Sequence, residues 1–246
     1  MHAYGDRARL DNLFEAETTR FIDTHPQSGK NHQKALGPMV SGVPMIWMSK
    51  WPGPFPLYVE HAKGAHFTDL DGRDYIDFCL GDTGSMTGHS PDATIAAIKR
   101  QADIGITSML PTLDAAVVSK ELASRFGLPK WQFTVTATDA NRHVIRYCRL
   151  ITGRSKIIVI DRCYHGSVDE TFATLDEAGN TVKREGNLGA PVDLDVTTRV
   201  VEFNDLAGME AALKHGDVAA ILMEPAMTNV GIVLPEDGYL HAVQGL

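Results

Sequence analysis

The chain has 246 residues, of which 43% are hydrophobic and 22% charged, a composition typical of folded globular proteins and not of disordered chains. With 23 Lys and Arg against 31 Asp and Glu, the formal net charge is −8, which argues against nucleic acid or an anionic membrane surface as principal partner and favours a small molecule. Three cysteines without a CxxC pair, and apolar runs too short for a membrane span, predict a cytoplasmic protein without a disulfide framework.

An N-terminal segment, residues 1–90, is predicted to hold a helix, a long loop and a small antiparallel meander. Apolar residues three to four apart predict the helix, which is expected to end at His25-Pro26. A stretch rich in Pro and Gly from Gly37 to Pro56 predicts a long loop, and long ordered loops are often functional. Short strands are predicted at 57–60, 65–69 and 75–80, with turns at Lys63-Gly64 and Asp71-Gly72.

The second segment, residues 91–246, begins with two predicted helices and then alternates strands with helices. The helices are expected at 92–101, 113–126 (with Gly127 just past its end), 139–151 and 206–214, and 239–243 looks like the opening of another. Strands are predicted at 132–136, 156–160, 198–203 and 218–223. Because several of these strands are apolar at consecutive positions, they suit a parallel sheet covered on both faces. The predicted fold class is α/β with an N-terminal appendage.

Three segments that follow predicted strands are candidates for chemistry, because ligands of open parallel sheets collect beyond the carboxyl ends of the strands. The first is Thr136-Ala137-Thr138-Asp139, where free N–H groups, hydroxyls and the positive end of a helix dipole could cradle a phosphate. Taken alone, this segment is better explained by a plain helix cap at Thr138 or Asp139.

The other two segments follow the next predicted strands. Tyr164-His165-Gly166 could lay an aromatic ring against a flat heteroaromatic ligand and offer it an imidazole edge. Glu224-Pro225 places a carboxylate at a strand exit. Taken singly, each is better explained as an ordinary feature: surface residues for Tyr164 and His165, and a helix cap or a solvated acid for Glu224. Together, the three segments predict one pocket that binds a phosphate group, stacks an aromatic ring on the ligand and holds a carboxylate.

Common catalytic motifs are absent from the sequence. It has no GxGxxG turn, no GxxxxGK[ST] loop, no GxSxG elbow and no HExxH helix. His61 and His66 flank the turn at Gly64, so they are interpreted as turn or surface histidines, and no metal site is predicted.

Six blocks resemble successive landmarks of the class III aminotransferases, and within them the glutamate-1-semialdehyde aminomutase branch. They are residues 64–78 (GAHFTDLDGRDYIDF), 88–91 (GHSP), 133–141 (FTVTATDAN), 152–157 (TGRSKI), 164–166 (YHG) and 224–225 (EP). The resemblance implies a fold type I enzyme of pyridoxal 5'-phosphate, normally a homodimer, that moves amino groups between small amino donors and acceptors.

The resemblance also implies roles for particular residues. Thr136, Ala137 and Thr138 fall on the phosphate-binding turn, where Ala137 replaces the usual Gly. Tyr164 falls on the aromatic residue that stacks on the pyridine ring, His165 completes its motif, and Glu224 is the acid beside the cofactor.

In this family, the loop that corresponds to 37–56 and the turn that corresponds to 81–85 border the substrate. These segments make Lys50, Trp51, Asp82 and Thr83 the substrate candidates. The aminomutases hold the substrate carboxylate with an Arg in that loop, whereas here Lys50 is available, a point charge without the bidentate fork.

The family's Schiff-base lysine and the aspartate that pairs with the pyridine nitrogen normally follow the Glu-Pro block. They are therefore expected beyond Leu246, so the sequence is interpreted as the N-terminal portion of such an enzyme, with a truncated large domain and doubtful activity and solubility by itself. The alternatives are a non-catalytic protein that binds pyridoxal phosphate or another phosphate ligand, an inactive gene fragment, and a plain α/β nucleotide or sugar-phosphate binder.

Overall fold

A computed structural model of the protein describes residues 7–82, 84–189 and 192–246. The chain divides into two units, Met1–Pro111 and Thr112–Leu246. In the described ranges, every helix is too short or too polar to cross a membrane.

The first unit opens with two helices where the sequence predicted one. Helix α1 spans Arg7–Thr24, and α2 spans Pro26–Ala35. Pro26 ends the first helix as predicted, but it also occupies the first position of the second, where its missing N–H costs nothing. The carboxylate of Asp71 accepts hydrogen bonds from the N–H groups of Gln27 (2.7 Å) and Ser28 (3.0 Å) and so caps α2. The cap comes from a distant turn, which is why local sequence did not reveal this helix.

The meander is present, with shifted strand ends. Its strands are β1 (Val59–Lys63), β2 (His66–Asp69) and β3 (Asp74–Ile76), antiparallel in the order β1-β2-β3. The third strand was predicted to continue to residue 80. It stops at Ile76 because the Asp77 carboxylate accepts the N–H groups of Cys79 and Leu80, both at 2.9 Å, and turns the chain. The 37–56 segment is a loop with two short 3-10 turns, Val40–Gly42 and Ile46–Lys50.

Two helices follow the meander. Helix α3 (Asp92–Ile104) belongs to the first unit and runs three residues further than predicted. Helix α4 (Leu113–Phe126) opens the second unit with the predicted bounds, and Gly127 ends it in the left-handed region at φ 69°.

The second unit is built on a parallel sheet, which confirms the predicted α/β class. Its strands are β4 (Lys156–Ile160), β7 (Thr198–Val201) and β8 (Val218–Leu222), in the order β7-β4-β8. Residues 157–160 of the central strand are fully buried. The consecutive apolar residues of β4 therefore form the centre of the core, as expected for a strand with neighbours on both sides.

Helices flank this sheet. They are α5 (Ala137–Thr152), α6 (Leu194–Thr197), α7 (Leu206–Leu213) and α8 (Tyr239–Gly245). The segment 132–136 was predicted as a strand, and that prediction is wrong: none of the described strands pairs with it, and the Val135 side chain is almost fully exposed. A strand needs a ladder partner, and an apolar run by itself does not supply one.

A small hairpin, β5 (Ala173–Leu175) with β6 (Thr181–Lys183), was not predicted. Its turn is formed by the Asp176 carboxylate, whose Oδ1 accepts the N–H groups of Ala178 and Asn180. Strands of three residues are too short to show a periodic pattern in sequence.

Candidate functional site

The three candidate segments meet at one edge of the parallel sheet. Strands β4 and β8 are parallel neighbours, so the chain leaves both at the same edge, and α5 packs against β8. The loop after β4 contacts both the first turns of α5 and the acid after β8. The three candidate segments at this edge of the sheet all belong to the second unit.

The N-terminus of α5 is capped by Thr136. Its Oγ1 accepts the N–H of Asp139 (3.1 Å) and donates to Oδ2 of that carboxylate (2.8 Å). The cap is thus Thr136, not Thr138 or Asp139 as the simple alternative held, and the hydroxyl of Thr138 is left for other contacts. In the described part of the chain, the N–H groups of Ala137 and Thr138 have no hydrogen-bond acceptor. They present donors at the positive end of a 16-residue helix.

Gly166 lets the loop after β4 lie directly on this helix end. Its φ of +76° is in the left-handed region, and a Cβ there would stand 2.2 Å from Thr138 Oγ1 and 3.2 Å from Thr138 Cα. Beside it, the N–H of Ser167 donates to Thr138 Oγ1 at 3.0 Å. A residue with a side chain at position 166 would therefore separate the loop from the helix.

Two further side chains of α5 hold the same loop and were not identified from the sequence. Asn141 Nδ2 donates to the carbonyl of His165 (3.0 Å), and Arg142 Nη2 donates to the carbonyl of Ser167 (3.2 Å). Both follow Thr138 by three and four residues, so the three share one face of the helix. That spacing was the signal available in the sequence.

Glu224 joins the Tyr164 loop to the segment after β8. One carboxylate oxygen accepts the N–H of Tyr164 (3.0 Å), and the other accepts the N–H (3.0 Å) and hydroxyl (2.9 Å) of Thr228. Burial acts to raise the pKa of Glu224, but the hydrogen bonds from Thr228 and Tyr164 outweigh it and hold the pKa below its ordinary value. Glu224 is therefore an anion at neutral pH, while the Tyr164 side chain is 54% exposed.

His165 is the buried member of the group. Its side chain points into the protein, the residue is 8% exposed, and in the described ranges its buried Nε2 has no hydrogen-bond partner. Burial lowers the pKa of His165, and the Glu224 carboxylate and a hydrogen bond with the Leu222 backbone offset only part of that effect. The imidazole is therefore held in its neutral form, with Nε2 buried and without a hydrogen-bond partner among the described residues.

The neighbouring thiol is unsuited to nucleophilic chemistry. Burial, with the Glu224 charge nearby, raises the pKa of Cys163 to about 12, so it stays protonated. His61 and His66 were interpreted as turn or surface histidines; they are exposed, and they lie in β1 and β2 and not in the turn between them. Within the described ranges, no three His, Cys, Asp or Glu side chains are grouped closely enough to hold a metal ion.

The predicted substrate residues lie in the first unit. Lys50 and Trp51 line an apolar cavity formed by the 43–59 segment. Asp82 sits in a tight turn at φ 52°, with its N–H donating to the carbonyl of Cys79. Thr83 lies outside the described residues.

Known proteins match most of the chain. The family described as Aminotransferase class-III matches residues 47–246. A glutamate-1-semialdehyde 2,1-aminomutase of Methanothrix thermoacetophila is 33% identical over 192 residues, which are 78% of this chain and 45% of that protein.

Solved structures of an aminomutase and a transaminase are similar to this chain as well. A glutamate-1-semialdehyde-aminomutase from Pseudomonas aeruginosa PAO1 is 50% identical, with a TM-score of 0.92 over 98% of this chain and 53% of that one. A second structure of that protein, with one lysine replaced by alanine, is a complex with PMP. An omega-transaminase from Sphaerobacter thermophilus is 26% identical, with a TM-score of 0.80 over 89% of this chain and 51% of the other. The chain thus spans about half the length of the proteins it matches.

Proposed function

The chain belongs to the class III aminotransferases, and on that premise we propose that the whole protein transfers amino groups with pyridoxal 5'-phosphate, as a transaminase or an aminomutase. Its substrates are an amino acid and an amino aldehyde or keto acid, and its active form is a homodimer. The second unit of this chain supplies the phosphate, ring and acid contacts. The observation that carries the proposal is the meeting of Thr138, Tyr164 and Glu224 around the single loop 164–167.

The helix end fits a phosphate. Ala137 is the first residue of α5 and has helical backbone, which alanine adopts without strain, so the family's usual Gly is not required for its N–H to donate. Thr138 Oγ1 already accepts the Ser167 N–H, and a hydroxyl that accepts one hydrogen bond still has a proton to donate. Two N–H groups and one hydroxyl can thus bind phosphate oxygens next to the positive end of the helix.

The loop fits a flat ring. Tyr164 is fixed at its backbone by Glu224, while its ring is half exposed and free to stack on a heteroaromatic face. Among the described residues, His165 Nε2 is buried without a hydrogen-bond partner, and a polar group that reached it would satisfy it. Burying such a nitrogen unpaired costs about 1–3 kcal/mol, so a partner at this position stabilises the site.

These contacts assign different roles to the cofactor and to the residues of this chain. When bound, pyridoxal phosphate supplies the electron sink that labilises bonds at an amino-acid carbon. The residues of this chain bind its phosphate, orient its ring and keep a negative charge beside it on Glu224. Among the described hydrogen bonds and ion pairs, no lysine contacts Thr138, Tyr164, His165 or Glu224. The resemblance implies that the lysine that anchors the cofactor covalently follows the Glu-Pro block, and this stays part of the proposal.

Cofactor binding is the direct test. The 246-residue chain is titrated with pyridoxal 5'-phosphate and followed by ³¹P NMR and calorimetry. Tyr164→Leu is expected to weaken binding about twofold to twelvefold, since aromatic stacking contributes about 0.5–1.5 kcal/mol. Tyr147→Leu is the matched control, because Tyr147 is also 54% exposed in the second unit but lies further along α5.

Three outcomes separate the proposal from its alternatives. Binding that depends on Tyr164 but not on Tyr147 supports the site. Equal loss in the two variants, or no binding, contradicts it. Amino-group transfer is then assayed with the chain alone and with the other half of the Pseudomonas aeruginosa protein added. Binding without transfer in either assay favours the non-catalytic alternative.

A further inference from the structure

The backbone that carries the Tyr164 ring is fixed immediately before that residue. Arg184 Nη1 donates to the carbonyl of Cys163 at 2.8 Å, and Glu224 accepts the N–H of Tyr164 at 3.0 Å. Both polar groups of one peptide bond are therefore bound, and because a peptide group is planar, its orientation is fixed. This bonding holds the chain up to the α-carbon of Tyr164, and the direction of the ring then depends on the backbone that follows.

After Tyr164, the side chain of Asn141 binds the loop. Its Nδ2 donates to the carbonyl of His165 at 3.0 Å, and because a carbonyl oxygen only accepts, the amide nitrogen must face it. Within the described residues, the next bound backbone group of the loop is the N–H of Ser167, which donates to Thr138. Loss of the Asn141 amide would therefore leave the described loop unbound from the α-carbon of Tyr164 to Ser167.

Helix α5 carries both this amide and the donors at its N-terminus. Ala137 and Thr138 lie in the first turn of α5, and Asn141 follows Thr138 by three residues. Asn141 is thus about 4.5 Å further along the helix axis, on the same face. The helix therefore fixes the distance between the N-terminal donors and the backbone that carries the Tyr164 ring.

From these contacts we propose that Asn141 is a positioning residue for the cofactor ring. It acts through Tyr164, because its amide fixes the backbone that orients the stacking side chain. Asn141 has this role only if pyridoxal phosphate binds between the end of α5 and Tyr164, so the inference rests on the proposed function. Arg142 holds the same loop at the Ser167 carbonyl, but its positive charge would itself attract a phosphate. Replacing Arg142 would consequently not separate positioning from charge.

The test measures the affinity of the 246-residue chain for pyridoxal 5'-phosphate by titration calorimetry. Asn141→Leu removes the amide donor and keeps a side chain of similar shape without adding a charge. We expect it to weaken binding about threefold to tenfold. The loss should not exceed that of Tyr164→Leu, because a residue that acts through the ring contributes no more than the ring does.

Two further variants control for the substitution. Asn180→Leu is the matched control, because Asn180 Nδ2 donates to the Asp176 carboxylate at 3.1 Å in the turn of the β5–β6 hairpin. It removes one amide hydrogen bond elsewhere in the second unit and should leave the affinity unchanged. Asn141→Gln keeps an amide donor on a longer side chain and should recover part of the affinity. If far-UV circular dichroism shows that Asn141→Leu is unfolded, Asn141→Ala carries the same expectation.

A double variant separates positioning from a general loss of structure. In a chain that already carries Tyr164→Leu, Asn141→Leu should change the affinity by less than about twofold, since no ring is left to orient. Bound pyridoxal phosphate should also show an induced circular dichroism band, because a planar achiral chromophore gains one when it is held in a single orientation. At full occupancy, Asn141→Leu should weaken this band and Asn180→Leu should not.

The outcomes distinguish this inference from the proposed function. Equal affinities of Asn141→Leu and Asn180→Leu would overturn it, as would a loss that persists in the Tyr164→Leu chain or an induced band that Asn141→Leu leaves intact. In each of these cases the cofactor still binds through Tyr164, so the proposed function stands. If the unaltered chain does not bind pyridoxal phosphate, or binds it independently of Tyr164, the proposed function fails and the role of Asn141 fails with it.

Discussion

Replacing Gly166 with alanine tests whether the loop after β4 must lie against the helix end. An alanine at φ +76° costs about 1–2 kcal/mol in backbone strain. Its Cβ would also stand 2.2 Å from Thr138 Oγ1. To relieve that overlap the hydroxyl must move and lose the Ser167 N–H, which costs about 1 kcal/mol and leaves a donor unpaired. We expect a total destabilisation of about 3 kcal/mol.

The matched control is Gly179→Ala in the turn of the β5–β6 hairpin. Gly179 has φ +80°, and an added Cβ would have no atom within 4 Å. This variant therefore measures backbone strain without the steric overlap. The difference between the two variants in the free energy of unfolding, measured by urea denaturation with circular dichroism, should be about 1–2 kcal/mol.

A double variant separates the overlap from other effects. Thr138→Ala removes the overlapping oxygen, so the pair Gly166→Ala and Thr138→Ala should destabilise less than the sum of the single changes, by about 1 kcal/mol. The reasoning is refuted if Gly166→Ala and Gly179→Ala differ by less than about 0.5 kcal/mol, or if the two single changes add. Pyridoxal phosphate titrations of the same variants show whether the loop position also governs binding.

Three other predictions follow from the contacts described. Because the folded-state pKa of Glu224 is lowered, its contribution to stability should be complete above the unfolded glutamate pKa of about 4.3 and be lost as pH falls through the lower folded value. Glu224→Gln should flatten the acid side of the stability curve, and an unchanged curve would contradict this. Cys79 is exposed, whereas burial raises the pKa of Cys163 to about 12. A thiol reagent at pH 8 should therefore label Cys79 in the folded chain and Cys163 only after unfolding, as mass spectrometry of peptides would show. Asp71→Ala should destabilise by about 1 kcal/mol and increase amide exchange in α2, because Asp71 caps that helix; Asp74→Ala, in the neighbouring strand, should leave exchange in α2 unchanged.

Elements with a strong local pattern were predictable from sequence. Helix α4 has the predicted bounds, because Gly127 ends it locally, and β4 has the predicted bounds because its run of apolar residues is uninterrupted. By contrast, the cap of α2 comes from Asp71, 43 positions away from Ser28. The segment 132–136 has the apolar composition of a strand, but a ladder partner is a tertiary feature.

The same division applies to the candidate site. The types of residue after each strand, and their resemblance to a family, made Thr138, Tyr164 and Glu224 the candidates, and the structure brings them together at one loop. Only the structure showed that His165 Nε2 is buried and has no hydrogen-bond partner among the described residues. Only the structure showed that Asn141 and Arg142 hold the 164–167 loop. These two residues donate to backbone carbonyls, and the side-chain sequence does not reveal which carbonyl lies nearby.

By itself, the sequence determined the α/β class and the family, and it supplied the segments in which the cofactor contacts are proposed. These depend on local periodicity, capping residues and short motifs, all of which are written in neighbouring positions. The tertiary structure alone decided which strands pair, which distant carboxylate caps α2 and that a glycine at 166 lets the loop contact Thr138. Those outcomes depend on distances between residues far apart in the chain, which are set when apolar strands such as β4 are buried together.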